Sequence, residues 1–213
     1  MAEFMSGITL VNEILSCRRD FTYMQLEEGF DLRSNTGYFN AVQDYIHQQK
    51  AKLMSSPLDF SHASMRYFSA QGLVLPWVKA EGIDLTGAVL RRSKLYKCNL
   101  RNANLTEAIF GCEEISDASS LTSSDLEGAC FRKADLRNVN FRYAVMRGAN
   151  FSYSLLKGTD LMEADLQDAV GLEEALDLGY AKFDKTIVGV KEQRIIQQAQ
   201  PSKLFVVKND NLN

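Results

Sequence analysis

Large apolar residues recur at every fifth position through the middle of the chain, and the residue two places before each is small in nearly every repeat. A spacing of five matches neither the 3.6-residue period of a helix nor the alternation of a strand, so it predicts a repeat architecture. At 46% hydrophobic composition, all these positions would be apolar by chance only about four times in a million. The centres of the repeats are Leu85, Leu90, Leu95, Leu100, Leu105 and Phe110, and after a one-residue slip Leu121, Leu126, Phe131, Leu136, Phe141, Met146, Phe151, Leu156, Leu161 and Leu166.

The positions around each centre indicate how the chain bends. Small residues such as Ala88, Ala103 and Ser154 lie two places before the centre, and Asp or Asn most often lies one place before it. Two inward side chains two residues apart fit extended backbone, because alternate residues of a strand share a face. Asp, Asn, Ser and Gly bond nearby backbone or tolerate unusual dihedral angles, so the remaining positions predict a corner. The chain is therefore expected to wind in short straight sides of five residues.

The repeat A-(D/N)-L-x-x is clearest at residues 103–105, 134–136, 149–151 and 164–166. In these motifs the chain resembles the pentapeptide-repeat family, strongly over residues 83–170 and more weakly back to residue 58. The resemblance implies a mainly β fold, a right-handed quadrilateral β-helix (a β-solenoid) with four five-residue sides in each coil. Large side chains would fill its axis and small ones its crowded corners, while successive coils stack about 4.8 Å apart.

The repeat frame slips by one residue between Gly111 and Ser119. The slip would place Glu113 at an inward position, where a buried carboxylate without a partner is too costly. We therefore predict a one-residue bulge that turns Glu113 outward and keeps Ile115 on the wall of the coil.

The position of the slip also assigns each repeat to a wall. With one extra residue, the predicted inward columns are Phe110 with Phe131 and Phe151, Phe141 with Leu100, Leu121 and Leu161, and Leu105 with Leu126 and Met146. On the outside of the coil, the same count places Arg91 and Arg132 on the same wall, two coils apart. It also predicts that Lys94 meets Glu114 on one ladder and that Glu127 meets Arg147 on another.

The open ends of a repeat stack must be covered, because unpaired strand edges promote association. We predict three parts: an N-terminal helical segment at 1–57 with room for a first partial coil at 20–32, a pentapeptide-repeat β-helix at 58–172, and C-terminal capping helices with a tail at 173–213.

Apolar residues at helical spacing predict helices at residues 8–18 and 37–54. Capping helices are predicted to begin at Gly171 and at Lys191. The apolar segment 204–207 is a strand candidate that either pairs within the chain or forms a homodimer through the C-terminal region, and both alternatives remain open. The opening residues 1–5 are interpreted as a vector remnant and left out of the fold.

Composition and motif content exclude several functions. The 213 residues carry a net charge of −3, so neither nucleic acid nor a membrane is expected as a direct partner. His47, His62 and the four cysteines show no metal-ligand spacing, and the many Asp residues are explained as corner residues. We therefore predict no catalytic residues, no cofactor, no metal site and no enzymatic activity. Cysteines without disulfide spacing favour a reduced state and a cytoplasmic location.

Charge is unevenly distributed along the repeats. Residues 83–170 contain 11 basic and 12 acidic residues, with the basic ones concentrated in the middle and the acidic ones towards the C-terminal end. One interpretation is a basic patch that binds an acidic partner, and the simpler one is a solvated surface with local ion pairs. The candidate partner-binding residues are Arg91, Arg92, Arg132, Lys133, Arg137 and Lys157.

A convex, four-sided prism with a filled interior offers no concave site for convergent catalytic groups. We therefore predict a non-enzymatic protein–protein interaction module, regulatory in role, that binds another protein with its rigid β-helix surface and appended helices. The family resemblance supplies an alternative, a DNA-mimicking topoisomerase-binding protein that engages DNA gyrase, as Qnr and MfpA proteins do. Such a mimic presents continuous negative charge, whereas these repeats are near neutral with a basic middle.

Overall fold

Four columns of parallel β-bridges organise most of the chain in this computed structural model, which describes residues 2–114, 118–202 and 205–208. Within a column a bridge residue typically pairs with the residue twenty positions later, as Asp59 does with Lys79. Twenty residues therefore complete a coil with four sides. We name the sides by their bridge residues: wall 1 contains Asp59, Lys79, Asn99, Asp125, Val145 and Asp165; wall 2 contains Ser64, Asp84, Asn104, Cys130, Asn150 and Val170; wall 3 contains Ser69, Val89, Ile109, Asp135, Leu155 and Leu176; wall 4 contains Val74, Lys94, Ser120, Asn140, Asp160 and Lys182.

The sides share a local structure that explains the recurring Asp and Asn residues. The side chain of the bridge residue accepts a hydrogen bond from the backbone N–H two residues later, at 3.0 Å from Thr86 to Asp84 and 3.1 Å from Arg101 to Asn99. The second residue after the centre then adopts a left-handed conformation, with φ of +54° at Asn102. Asp and Asn therefore recur one place before the centre because their side chains stabilise the corner.

The interior confirms the predicted inward pattern. All sixteen centres are buried, and so are the small residues two places before them. Phe131 stacks on Phe151 with ring centroids 5.5 Å apart, as predicted, and meets the edge of Phe141 at 5.6 Å. Alternation of large and small inward residues thus fills the axis of these coils.

The register across residues 111–119 differs from the prediction. Lys94 pairs with Ser120 and Ile109 pairs with Asp135, so these bridge partners are 26 residues apart instead of twenty. The excursion therefore contains six extra residues, one full side plus one, rather than the single residue predicted. A five-residue frame does not distinguish these cases, because both shift the apolar pattern by one position.

The inward columns change accordingly. Phe110 aligns with Leu136 rather than with Phe131, and the predicted columns for Leu100 and Leu105 are wrong for the same reason. The columns of centres in the structure are Leu100, Leu126, Met146 and Leu166 on wall 1; Leu85, Leu105, Phe131 and Phe151 on wall 2; Leu90, Phe110, Leu136 and Leu156 on wall 3; and Leu95, Leu121, Phe141 and Leu161 on wall 4.

Part of the excursion follows the sequence-based prediction. Glu113 points outward, with 77% of its side chain exposed, and its carboxylate forms an ion pair with Arg137. The predicted place of Ile115 on the wall lies outside the described residues.

The first coil has three sides, and a helical excursion takes the place of its fourth side. Bridges from Asp20, Gln25 and Asp31 join this partial coil to the next one. The elements of the N-terminal region are strand β1 (Phe4–Met5), helix α1 (Gly7–Leu15), strand β2 (Gln25–Leu26), a 3-10 turn (Leu32–Ser34), and helices α2 (Thr36–Gln48) and α3 (Lys50–Ser55).

Residues 3–5 belong to the fold, so the prediction that residues 1–5 lie outside it is wrong for them. Strand β1 pairs in parallel with β2, and Met5 is buried in the core. Glu3 forms an ion pair with Arg18 at 2.6 Å. The single helix predicted over 37–54 is divided at Gln49 into α2 and α3.

The coil stack extends further towards the C-terminus than predicted. Bridges at Leu176, Lys182 and Ile187 continue walls 3, 4 and 1. The helix predicted to begin at Gly171 is wrong, because Gly171 forms a coil corner with φ of +75° and Leu172 is fully buried.

Helix α4 (Val190–Ala199) follows the last coil, close to the helix predicted from Lys191. Strand β3 (Ile187–Val188) pairs in parallel with β4 (Val206–Val207), so this part of the apolar C-terminal segment pairs within the chain. None of the helices in the described part of the chain has the length and apolar character needed to cross a lipid bilayer.

Candidate partner-binding surface

All six candidate basic residues border wall 3. At the corner that follows this wall, Arg91, Arg137 and Lys157 belong to one ladder, since each comes two residues after a wall-3 bridge residue. Arg92 is the next residue of the same corner and is exposed. Four of the six candidates therefore lie along one edge of wall 3.

Arg132 and Lys133 lie along the opposite edge. They form the corner between Phe131 of wall 2 and Asp135 of wall 3. The prediction that Arg91 shares a ladder with Arg132 is wrong, because the six-residue excursion moves Arg91 to the other edge of the wall. The patch is thus a strip with basic residues on both sides.

The outward middle of this strip is apolar apart from one carboxylate. The bridge residues Val89, Ile109 and Leu155 are half-buried, and Leu176 at the C-terminal end is 53% exposed. Because stacked strands lie about 4.8 Å apart, these side chains form a column that only Asp135 interrupts. An apolar centre with a polar rim is the usual composition of a protein interface.

Arg137 ties Asp135 and the excursion to this surface. Its Nε and Nη2 atoms donate hydrogen bonds to Asp135 Oδ1 at 2.9 Å and Oδ2 at 2.8 Å, and Nη1 pairs with Glu113. Asn138 Nδ2 donates to the backbone carbonyls of Cys112 at 3.0 Å and of Glu113 at 3.1 Å. The start of the excursion is therefore held against the edge of wall 3.

The Asp135 carboxyl is held in its charged form. Burial by itself would raise the pKa of Asp135, but hydrogen bonds from the side chain and backbone of Arg137 outweigh burial and leave the pKa below its ordinary value. The hydrogen bond to Asp135 is also the main reason that the pKa of the Arg137 guanidinium is raised. The two charges therefore compensate each other at neutral pH.

Replacing the Asp135 carboxylate tests this ion pair. We expect Asp135→Asn to lower the free energy of unfolding by about 1.5–3 kcal/mol at neutral pH, the usual contribution of hydrogen bonds to a charged group. Because the pKa of Asp135 is lowered in the folded state, the carboxylate stabilises the fold above its unfolded pKa, and this stabilisation is lost as the pH falls through the folded pKa. In urea unfolding measurements, the difference between wild type and variant should narrow below about pH 4. A difference that stays constant down to about pH 2 would contradict the assignment.

Local contacts neutralise part of the patch. Lys133 Nζ lies 3.4 Å from Glu107 Oε1, and Arg91 Nε donates to a backbone carbonyl of the next coil at 3.2 Å. Within the described ranges, the side chains of Arg132 and Lys157 make no ion pair or hydrogen bond, and both residues are exposed. These two residues, on opposite edges of wall 3, carry charge that is available to a partner.

The two other outer pairs predicted for the coil have different outcomes. The corrected register moves Glu114 away from the ladder of Lys94, whose Nζ instead donates to a backbone carbonyl at 2.6 Å. Glu127 and Arg147 share a ladder in neighbouring coils, as predicted, although Glu127 forms its ion pair with Arg101 at 2.6 Å.

A side chain that the sequence did not single out closes wall 4 at its N-terminal end. Gln43 of α2 accepts a hydrogen bond from the Val74 N–H at 3.0 Å, and its Nε2 donates to the Val74 carbonyl at 3.4 Å. Its amide thus replaces the backbone of the side that the first coil lacks. No sequence signal distinguishes Gln43, because its role exists only when α2 packs against wall 4. Nearby, Trp77 is half-buried and meets the edge of Tyr96 at 6.0 Å.

The other chemically active side chains do not converge. In residues 2–114, 118–202 and 205–208, no group of three or more His, Cys, Asp or Glu residues is placed to hold a metal ion. His62 stacks on Tyr23 with ring centroids 4.9 Å apart. The four cysteines, all within these ranges, form no disulfide, and burial raises the pKa of the Cys98 thiol to about 12, so this thiol stays protonated at neutral pH.

Several solved structures are similar to this chain. A pentapeptide repeat protein from the Arabidopsis thaliana thylakoid lumen is 20% identical over 55% of this chain and 75% of that chain, with a TM-score of 0.41. HetL, a pentapeptide repeat protein involved in heterocyst differentiation regulation in the cyanobacterium Nostoc, is 18% identical over 86% of this chain and 97% of its own, with a TM-score of 0.31. QnrB1, a plasmid-mediated fluoroquinolone resistance protein, is 17% identical over 72% of this chain and 84% of its own, with a TM-score of 0.40.

No curated protein matches the chain. The family model for pentapeptide repeats matches residues 77–111, 119–155 and 129–168, in eight copies. The matched residues form walls 1 to 4 on both sides of the excursion, with the inward centres and left-handed corners described above. Residues 77–111 and 119–168 are therefore pentapeptide repeats, and these repeats belong to that family.

Proposed function

We propose that the protein is a non-enzymatic interaction module, regulatory in role, that binds an acidic partner protein through wall 3. The observation that carries this proposal is the placement of all six candidate basic residues on the two edges of a single wall with an apolar middle. Apolar side chains in the centre of an interface lose water on binding, while charges on the rim steer and orient the partner. The continuous backbone ladder of wall 3 keeps this surface rigid, so little conformational entropy is lost on association.

The same architecture supports a role without catalysis. Leu, Met and Phe side chains fill the axis of the matched repeats from Phe110 onwards. Catalytic groups need a concave site in which a nucleophile, a base and a substrate can meet. A cytoplasmic location is part of the proposal, because an exposed free thiol such as Cys17 is typical of a reducing compartment.

Charge reversal on both edges of wall 3 tests the proposed surface. We expect the double variant Arg132→Glu/Lys157→Glu to lose about tenfold or more in affinity for a partner that the wild type captures from native lysate, because like charges would then face each other. Its melting temperature should stay close to that of the wild type, since neither side chain has a partner among the described residues. Pulldown with quantitative mass spectrometry and thermal melts measure both quantities.

The matched control reverses two lysines at the corner that follows wall 4. Lys97 and Lys185 are exposed and also lack ion pairs within the described ranges, so Lys97→Glu/Lys185→Glu makes the same change in net charge elsewhere. Retained capture by this control and lost capture by the wall-3 variant would support the proposal. Equal behaviour of the two variants would remove wall 3 as the binding surface. Arg137 is not reversed, because its contacts with Asp135 and Glu113 are structural.

The competing function is that of a DNA-mimicking, gyrase-binding protein. Such a mimic needs a continuous acidic surface, but acidic residues of the C-terminal coils are paired with arginines, Glu163 with Arg142 at 3.4 Å and Asp165 with Arg147 at 3.9 Å. We therefore expect the purified protein at micromolar concentration to leave DNA supercoiling by gyrase unchanged. Inhibition that the Arg132→Glu/Lys157→Glu variant retains would favour the mimic over the wall-3 module.

A further inference from the structure

An apolar cavity of about 80 Å³ lies beneath the N-terminal helices, on the axis of the first coils. Leu10 and Ile14 of α1 and Val42 and Ile46 of α2 line it on one side, and coil residues as far as Leu100 line it on the other. Its lining is wholly apolar. Leu90 of wall 3 lines the cavity with its inward side chain, whereas the proposed partner-binding surface is the outward face of that wall, so a guest in the cavity does not touch the partner-binding surface.

The cavity exists because large and small residues exchange places in the upstream coils. Ala80 occupies a wall-1 centre, a position that Leu100 and Leu126 fill in the next two coils. The larger side chain comes two places earlier, at Val78, which fills the corner but leaves the axis open. Further along, the axis is filled by Phe110, Phe131, Phe141 and Phe151.

This cavity cannot hold an ordered water molecule, because a buried water needs two to four polar partners and the lining supplies none. An apolar guest would displace no bound water and would gain dispersion contacts with the walls. The sulfur atoms of Met65 and Cys98 belong to lining residues, and polarisable sulfur favours contact with polarisable guests. The volume is about half that of a cavity of about 150 Å³ that accepts benzene, so the guest must be smaller.

We propose that this cavity is a binding site for one small apolar molecule, smaller than benzene, of the class of short hydrocarbons and dissolved apolar gases. A guest touches α1, α2 and the coil together only while the helices are packed on the coil. Binding therefore stabilises the closed position of the helices, since a ligand favours the state that it binds.

Xenon is the probe that tests this site. We expect xenon to shift the methyl NMR signals of Ile83, Leu90 and Leu95 saturably with gas pressure and to leave those of Leu136 and Leu161 unchanged. Xenon should also raise the melting temperature of the wild type. Absence of saturable shifts in the wild type, or shifts confined to other parts of the chain, would overturn the proposal.

A variant that fills the cavity supplies the control. We expect Ala80→Leu to raise the dissociation constant for xenon at least about tenfold, because the added methyl groups occupy the same space. If Ala80→Leu does not fold, Leu90→Phe fills the cavity from wall 3 and should have the same effect. Xenon-induced NMR shifts that persist unchanged in a folded cavity-filling variant would overturn the proposed binding site. The result of the wall-3 pulldown would not change in that case.

Discussion

Leu136→Ala is expected to lower the free energy of unfolding by about 2–5 kcal/mol. Leu136 is a fully buried wall-3 centre, stacked between Phe110 and Leu156 in its column. Backbone hydrogen bonds to the coils above and below hold the wall in place, so neighbouring side chains refill the space poorly and a cavity remains. Urea unfolding followed by circular dichroism measures the loss.

The control for this prediction is the same substitution on the outside of the same wall. Leu155 is a half-buried bridge residue, and Leu155→Ala should cost less than about 1 kcal/mol because solvent and neighbouring side chains take up the space. Equal losses in the two variants would show that Leu136 does not occupy the axis of the coil.

Ala134→Leu is expected to lower the free energy of unfolding by about 1–3 kcal/mol through overpacking. Ala134 is fully buried two residues before Leu136, and its neighbours in the adjacent coils at this inward position are Ala108 and Ser154. A leucine here must push its neighbours or leave its preferred rotamers, because the downstream coils are fully packed. Thermal melts and urea unfolding both report the change.

The matched variant places the same substitution where space exists. Ala80 lines the N-terminal cavity, so Ala80→Leu should leave the stability unchanged or raise it by up to about 1 kcal/mol. Opposite outcomes at the two alanines would confirm that the upstream and downstream coils differ in packing. A wild-type melting curve for Ala134→Leu would contradict its assignment to a crowded corner.

The inside and outside of each coil could be predicted from the five-residue period alone. Every predicted centre and every small position before it is buried, and the Asp and Asn residues form the corner hydrogen bonds expected of them. These features are local, because an extended side and its turn involve only neighbouring residues. The swapped pair Val78 and Ala80 blurs the pattern upstream, which is why the resemblance weakens there.

The walls could not be assigned in the same way. The wall to which a side belongs depends on its position within the twenty-residue coil. The excursion at 111–119 adds six residues to this count, whereas the sequence indicated one. This difference also affected the basic patch. The predicted register assigned Arg91 to the same ladder as Arg132, whereas in the structure Arg91 shares a ladder with Arg137 and Lys157. The six patch residues nevertheless came together, on the two edges of wall 3.

The ends also required tertiary information. The sequence after Gly171 predicts a helix. In the structure Gly171 has a positive φ and Leu172 is buried, so this segment forms a further side of the coil. Nothing in the sequence distinguishes Gln43 from other polar helix residues. Its role depends on the hydrogen bonds between its side-chain amide and the Val74 backbone. In both cases the deciding contact is made with a segment distant in the chain.

The sequence by itself determined that this protein winds in five-residue sides, which residues point inward, and that its interior is apolar. The tertiary structure alone decided which sides lie above one another, where the axis is left open, and which charges share a surface. The physical reason is the range of the interactions. Corner hydrogen bonds and alternating burial act over a few residues and repeat in the sequence, whereas the stacking of coils depends on the length of every excursion between them.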